Sequence, residues 1–252
     1  MTPFAVPGAR RYISTDVFAR LAGIALGTAL LAGSAAADPL TIPVDGDRSP
    51  ASRYANLSNE DAFAALAERS IAFERVDSAP GVRAPIRLAG PLHGVWIHSA
   101  LPEEARKSTP FEILDARLAL ALDDFAAVLA RHDVVELVHF TMYRPGDDAR
   151  EGDTSGKARH PGGMAIDVGA LRKRSGALLT VQTHWPAAIG ARTCGEGGRH
   201  LPARRGRELL SLACEAKDLR LFHVILTPHF NRAHRDHLHL EIKPETKWFL
   251  LE

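Results

Sequence analysis

The stretch His160-Pro161-Gly162-Gly163-Met164-Ala165-Ile166-Asp167-Val168-Gly169-Ala170 decides how this chain is read, together with a later counterpart, Asp236-His237-Leu238-His239-Leu240-Glu241-Ile242. Successive side chains of a strand point to opposite faces. In the first stretch Met164, Ile166 and Val168 therefore share one face, and Ala165, Asp167 and Gly169 the other. In the second, Leu238, Leu240 and Ile242 share one face, and His237, His239 and Glu241 the other. Each stretch predicts a strand with an apolar side for a core and a side bearing ligand-type groups. If the two strands are neighbours, Asp167 and His239 converge on one ion, and His160, at the loop entry to the first strand, completes the set. Gly162 and Gly163 let the backbone turn tightly there. Catalytic zinc typically takes three ligands from His and Asp/Glu and keeps a fourth position open.

The flanking sequence predicts an α+β domain with a mainly antiparallel central sheet, flanking helices and the zinc site on one sheet face. Ser58 to Asp61 reads as the start of a short helix carrying Phe63, Leu66 and Ile71. Pro85 to Ser99 reads as two short strands around Gly90-Pro91. Thr109, Pro110 and Glu112 form a capping-box pattern, and Leu114, Leu118, Leu122, Phe125 and Leu129 recur at helical spacing as a core stripe. His132 and Asp133 end that helix, and Val134 to Tyr143 reads as a buried strand. After the polar loop 145–159, Met164 to Ala170 is a strand. Arg174-Ser175-Gly176 turns it into a hairpin with 178–184. Residues 186–202 read as an irregular loop, 204–217 as a helix, and 221–226 and 238–242 as the last strands. His139, His223 and His229 read as strand or loop histidines. Trp96, Trp185 and Trp248 are core or groove-lining aromatics, and the sequence does not choose between the two.

Composition and the N-terminus bound the function. Residues 1–37 have the form of an export signal: Arg10, Arg11 and Arg20, an apolar run from Leu21 to Gly33, then Ala35-Ala36-Ala37. The run is shorter than the roughly 20 residues that span a bilayer, so no stable membrane span is expected after cleavage; an uncleaved anchor is the alternative. Residues 38–57 read as a linker and 58–252 as one domain. The net charge is +1 over the chain, far from the basic face of a nucleic-acid binder. Arg172-Lys173-Arg174 and Arg204-Arg205-Gly206-Arg207 read as solvated charges. Cys194 and Cys214 are the only two cysteines. In an exported protein they read as one disulfide closing a loop of about 20 residues, contributing roughly 3 kcal/mol; two unpaired thiols are the alternative.

The two motifs also resemble known families. His160, Gly163, Ala165 and Asp167 followed by Asp236-x-x-His239 resemble the paired signatures of zinc D-Ala-D-Ala carboxypeptidases. His234-x-x-His237-x-His239 is similar to the cluster of the penicillin-insensitive murein endopeptidases. Over roughly residues 85–242 the chain resembles the extensin-like C-terminal domain of bacterial proteins. The resemblance implies that His160, Asp167 and His239 hold Zn2+ and that Asp236 stands where the general base does. It places His237 beside the metal as a hydrogen-bonding or proton-transfer partner, and His234 as a support behind the ligands. Arg144 closes the strand before His160, and its planar fork suits a substrate carboxylate or a developing oxyanion. Two departures are Ala158, where the family often has Ser, and Asp236, shorter than the Glu of some relatives.

The expectation is an exported, periplasmic or secreted zinc metallopeptidase that hydrolyses amide bonds in peptidoglycan peptides. A catalytically silent, zinc-containing wall-binding or scaffolding module is the alternative from another class. A metal-free structural domain with coincidental histidines is the third.

Overall fold

The computed structural model describes residues 40–146 and 160–252; the expected leader 1–37 and Ala158 lie outside them. Helices α1 (Pro50–Ala55) and α2 (Asn59–Glu68) precede strands β1 (Phe73–Arg75), β2 (Pro85–Leu88) and β3 (Trp96–Ser99). The one-turn helix α3 (Glu103–Arg106), β4 (Leu114–Asp115), α4 (Ala116–Arg131) and β5 (Val134–His139) follow. Next come β6 (Ala165–Lys173), β7 (Leu178–Thr180), α5 (Val181–His184) and α6 (Arg204–Asp218). Strands β8 (Val224–Leu226), β9 (Leu238–Glu241) and β10 (Leu250–Leu251) complete the chain.

The fold is α+β. Strands β1, β2 and β4 make a small antiparallel sheet. The main sheet runs β10-β8-β9-β6-β5-β3, with β7 also paired to β6. Its two outer pairs, β10–β8 and β3–β5, are parallel, and the inner pairs are antiparallel. One core joins Ile97, Leu137, Ile166, Leu171 and Leu240 of this sheet to Leu118, Leu122, Phe125 and Leu129 of α4. Helix α4 also buries Ala119, Leu120 and Ala121, off the predicted stripe, because α1, α2 and α6 surround it as well as the sheet. A disulfide joins Cys194, in the irregular loop, to Cys214 on α6. No helix among the described residues is long and apolar enough to cross a membrane.

The structure corrects several local expectations. Thr109 and Glu112 do not start the long helix. Thr109 caps a 3-10 turn over Pro110–Glu112, the Glu112 carboxylate accepts from the Ser99 amide at 2.7 Å, and α4 begins at Ala116 with Asp115 as its cap. Pairing of Leu114-Asp115 with β2 overrides the helical periodicity there. The buried Asp115 carboxylate is held by the Arg117 guanidinium at 2.7 and 2.8 Å. The two strands of 85–99 enter different sheets rather than pairing, and a tight turn at His93-Gly94, both at positive φ, leads into β3. The predicted strand 134–143 stops at His139, and the predicted hairpin arm 178–184 becomes helical after Thr180.

The linker expected at 38–57 is largely part of the fold. Ser49 caps α1, Pro50 fits its first turn, and Ala51, Tyr54 and Ala55 join the core. Ser52 Oγ donates to the Gly46 carbonyl at 2.8 Å and accepts from His223 Nε2, 3.0 Å away. The Lys243 amide donates to His223 Nδ1 at 2.9 Å, so the ring is a neutral Nε2–H tautomer clasping the N-terminal segment to the C-terminal one. Burial pushes His223 down to about 4, only partly opposed by the Thr246 carbonyl. His139 is also lowered by burial, against the opposing pull of Glu112.

The unfolded chain therefore takes up a proton near pH 6.5 that folded His223 refuses until about pH 4. Stability falls as pH drops through that window, by about 3 kcal/mol for His223 alone, and His139 adds in the same direction. Thermal unfolding followed by circular dichroism between neutral and mildly acid pH checks this. His223→Gln is expected to be less stable at neutral pH and to show a shallower acid slope.

Candidate metal centre

Strands β6 and β9 are antiparallel neighbours, and Asp167 lies directly opposite His239. The alternation read from the sequence therefore puts both on one face, while Ile166 and Leu240, also paired, face the core. His160 arrives from a tight turn in which its carbonyl accepts from the Gly163 amide at 3.0 Å. Gly163 sits at φ +64, and a Cβ there would lie 2.9 Å from the Asp115 nitrogen. The same bare backbone accepts a 2.9 Å bond from that amide. The turn is thus fastened to the start of α4, and only glycine fits both demands.

His160 Nε2 lies 3.1 Å and His239 Nδ1 3.0 Å from the same Asp167 oxygen. One ligand atom from each of the three residues falls within a common 4.8 Å. His160 and His239 direct their far nitrogens to acceptors: Nδ1 of His160 to the Met142 carbonyl at 3.3 Å, and Nε2 of His239 to Glu241 at 3.4 Å. Lys243 lies 3.4 Å from the other Glu241 oxygen. Such partners fix the tautomer of a metal-ligating histidine and aim its lone pair at the metal. Here the near nitrogens of both rings face one oxygen of the Asp167 carboxylate. Two imidazoles and a carboxylate are a donor set that zinc accepts, so the residues fit a divalent ion.

The electrostatics agree. Burial alone would raise the Asp167 carboxyl, but hydrogen bonds from His160 and His239 outweigh it and hold the group far below the ordinary carboxylate range. Burial opposes charge on His239, yet Asp167 and Glu241 raise it overall. The pocket is built to hold positive charge.

The remaining predicted residues gather round this group. His237 Nε2 is 3.5 Å from Asp167, and its Nδ1 is 2.8 Å from Asp236 Oδ1. Asp236 therefore reaches the centre through His237, with its own side chain partly open to solvent. His234 is turned by Asn231, 2.8 Å from its Nδ1, and its ring lies 5.1 Å from that of His237 and 5.9 Å from that of His239. Arg144 stands at the rim, largely exposed, with Nη2 3.4 Å from Asp167 Oδ2.

Three features escaped the sequence reading. Glu241, which the alternation placed on the ligand-bearing face without a role, is the partner of His239; its position two residues on, on the same face, was the available signal. Phe140 packs edge-on against His237, with ring centroids 5.9 Å apart. Gly169 makes room for it, since a Cβ there would meet the Phe140 ring at 2.7 Å. Gly169 is also the extra residue of a bulge, because β6 advances from Ala170 to Val168 while β5 advances one step from Val138 to His139. No local pattern announces that bulge.

Titration of the metal-free protein with Zn2+ in a calorimeter is expected to give one tight site that His239→Ala abolishes. Glu241→Gln, which weakens the acceptor behind His239, should cost about 10–100-fold in affinity. Gly163→Ala should lower both affinity and stability, the latter by more than about 1 kcal/mol. Stoichiometric binding that survives His239→Ala would place the ion elsewhere.

Searches of curated proteins and of solved structures find no match to this chain. A family model, described as extensin-like protein C-terminus, matches residues 112–250, a span that starts and ends later than the resemblance read from the motifs. It contains every residue of the centre just described and leaves β1, β2 and β3 outside. With more than half of its length matched, the chain belongs to the extensin-like C-terminal family.

Proposed function

We propose that this protein is an exported zinc-dependent peptidase that hydrolyses amide bonds in the peptide part of peptidoglycan. The observation that carries the reading is the Asp236–His237 pair beside the His160–Asp167–His239 group, a base and a proton carrier next to a cation site. The order of the motifs, similar to that of zinc D-Ala-D-Ala carboxypeptidases and murein endopeptidases, supports the substrate class. The N-terminal signal pattern and the Cys194–Cys214 disulfide support an oxidising compartment outside the cytoplasm.

When bound, the divalent ion would act as a Lewis acid, polarising the scissile carbonyl and acidifying water. Asp236, 2.8 Å from His237, accepts through that ring the proton that the attacking water loses as its oxygen bonds to the carbonyl carbon. That proton passes to the leaving nitrogen as the C–N bond breaks, giving a carboxylic acid and an amine. His237, packed against Phe140, holds the base in place and shares its proton. Arg144, exposed and forked, binds the substrate carboxylate or steadies the developing oxyanion. The side chain of Asp236 is shorter than glutamate, and this is what favours the second reading, a metal-holding module that binds the wall without cutting it.

Incubation of the zinc-loaded protein with purified peptidoglycan and defined muropeptides, read by mass spectrometry, separates the two. The expected outcome is new peptide termini that vanish on chelation. Asp236→Ala should lower the rate by about 10²–10⁴-fold with bound zinc unchanged. Metal retained and no product from any muropeptide would favour the silent module.

A further inference from the structure

Away from the metal group, a cavity of about 770 Å3 opens at the β3 edge of the main sheet, between that edge, β1–β2 and α3. This size falls within the range of about 300–1,000 Å3 typical of small-molecule sites. Trp96 lines it and is 56% exposed, whereas Trp185 is in the core. Beside Trp96 runs a fixed polar row: His98 Nε2 lies 2.8 Å from Glu136 Oε1, His98 Nδ1 lies 2.8 Å from the Ser99 carbonyl, and Arg172 Nε donates to Glu136 Oε2. Arg87, also in the lining, spends its guanidinium on the carbonyls of Arg106 and Thr109 and so holds α3 over the opening. Three basic and four acidic side chains line the cavity. Their charges nearly cancel, so a strongly anionic or cationic ligand meets as much repulsion as attraction.

An aromatic face beside rigid, planar hydrogen-bonding groups, with little net charge, suits one chemistry well. A pyranose ring presents polarised C–H bonds on one face, matched to the negative face of an indole, and hydroxyls around its rim, matched to the remaining lone pairs of Glu136 and to the exposed Lys107. Preorganisation of the His98–Glu136–Arg172 row keeps the ordering cost of binding low.

The cavity also faces the right way. Trp96 pairs with Glu136, and Glu136 with Arg172, while Ile97, Leu137 and Leu171 form the adjoining core row. Five residues separate Asp167 from Arg172, an odd number that would put them on opposite faces. The bulge at Gly169 restores the phase, so the Trp96 row and the metal group share the outer face. Strand spacing and rise separate them by on the order of 15–20 Å, with Phe140 between. Trp96 and His98 precede the residues matched by the family model, whereas Glu112, Val135 and Glu136 of the lining lie within them.

We propose that this cavity is a saccharide subsite that binds neutral pyranose rings of a glycan strand. Its place on the outer face would let a glycan lie there while an attached peptide reaches the metal group; that last step rests on the function proposed above, whereas the subsite itself does not. The test is calorimetric titration of the full protein with short N-acetylglucosamine oligomers and, separately, with peptide-free glycan strands from peptidoglycan whose lactyl carboxyls are capped as neutral amides. Saturable binding is expected for both, weakened about tenfold or more by Trp96→Ala, partly restored in Trp96→Phe, and unchanged in His239→Ala. Trp96 is at the surface, so its removal leaves the thermal unfolding transition in place. Binding of oligomers but not of peptidoglycan strands would keep the saccharide site and remove its link to the wall. No saccharide binding, or binding indifferent to Trp96→Ala, overturns the proposal even if muropeptides are cleaved. Displacement of a free stem peptide from the Trp96 surface would make the cavity a peptide subsite instead. Loss of cleavage with sugar binding intact would overturn only the peptidase.

Discussion

The pairing of β6 with β9, with Asp167 opposite His239, is the constraint on which the rest of the structure depends. Side chains alternate with a period of two, so a slip of one residue would carry Asp167 into the core and Ile166 to the surface. Burial of Ile166, Leu240 and Ile225 in the common core makes that slip prohibitive. The hydrophobic face thus fixes the position of a polar group that contributes nothing to the core. A carboxylate and an imidazole are held 3.0 Å apart because of what lies behind them.

Around this pair the charges form a connected series. Lys243 lies against Glu241, Glu241 beside His239, His239 and His160 against Asp167, and the Met142 carbonyl behind His160. Each member restrains the orientation of the next, so one nitrogen of each imidazole faces the same Asp167 oxygen. The turn that delivers His160 is held separately, through Gly163 to Asp115, and Asp115 is itself locked by Arg117. Two parts of the chain far apart in sequence are therefore needed before the site has its geometry.

The Gly169 bulge links this centre to the rest of the outer face. It re-phases β6 so that Arg172, Glu136 and Trp96 look the same way as Asp167, and the missing Cβ seats Phe140 against His237. One glycine accordingly serves the packing of the centre and the orientation of the neighbouring cavity.

Much of this was legible from residues alone. The two-residue alternation in 164–168 and 238–242 is a local property of extended backbone, so it named the site face before any partner strand was known. Ser58 announced α2, the turn at Arg174-Ser175-Gly176 announced the hairpin, and the cysteine pair announced its disulfide, each through chemistry confined to a few residues. What tertiary structure decided was everything that needs a distant partner. The start of α4 moved to Ala116 because Leu114 and Asp115 found β2, and residues 46–56 became part of the fold because His223 and Glu245 were there to bond them. Glu241 became the partner of His239, and β6 took a bulge, only in the presence of neighbouring strands. Sequence by itself determined which side chains share a face; only the assembled sheet decided which faces meet, because strand pairing is set by non-local burial rather than by the local preference of any residue.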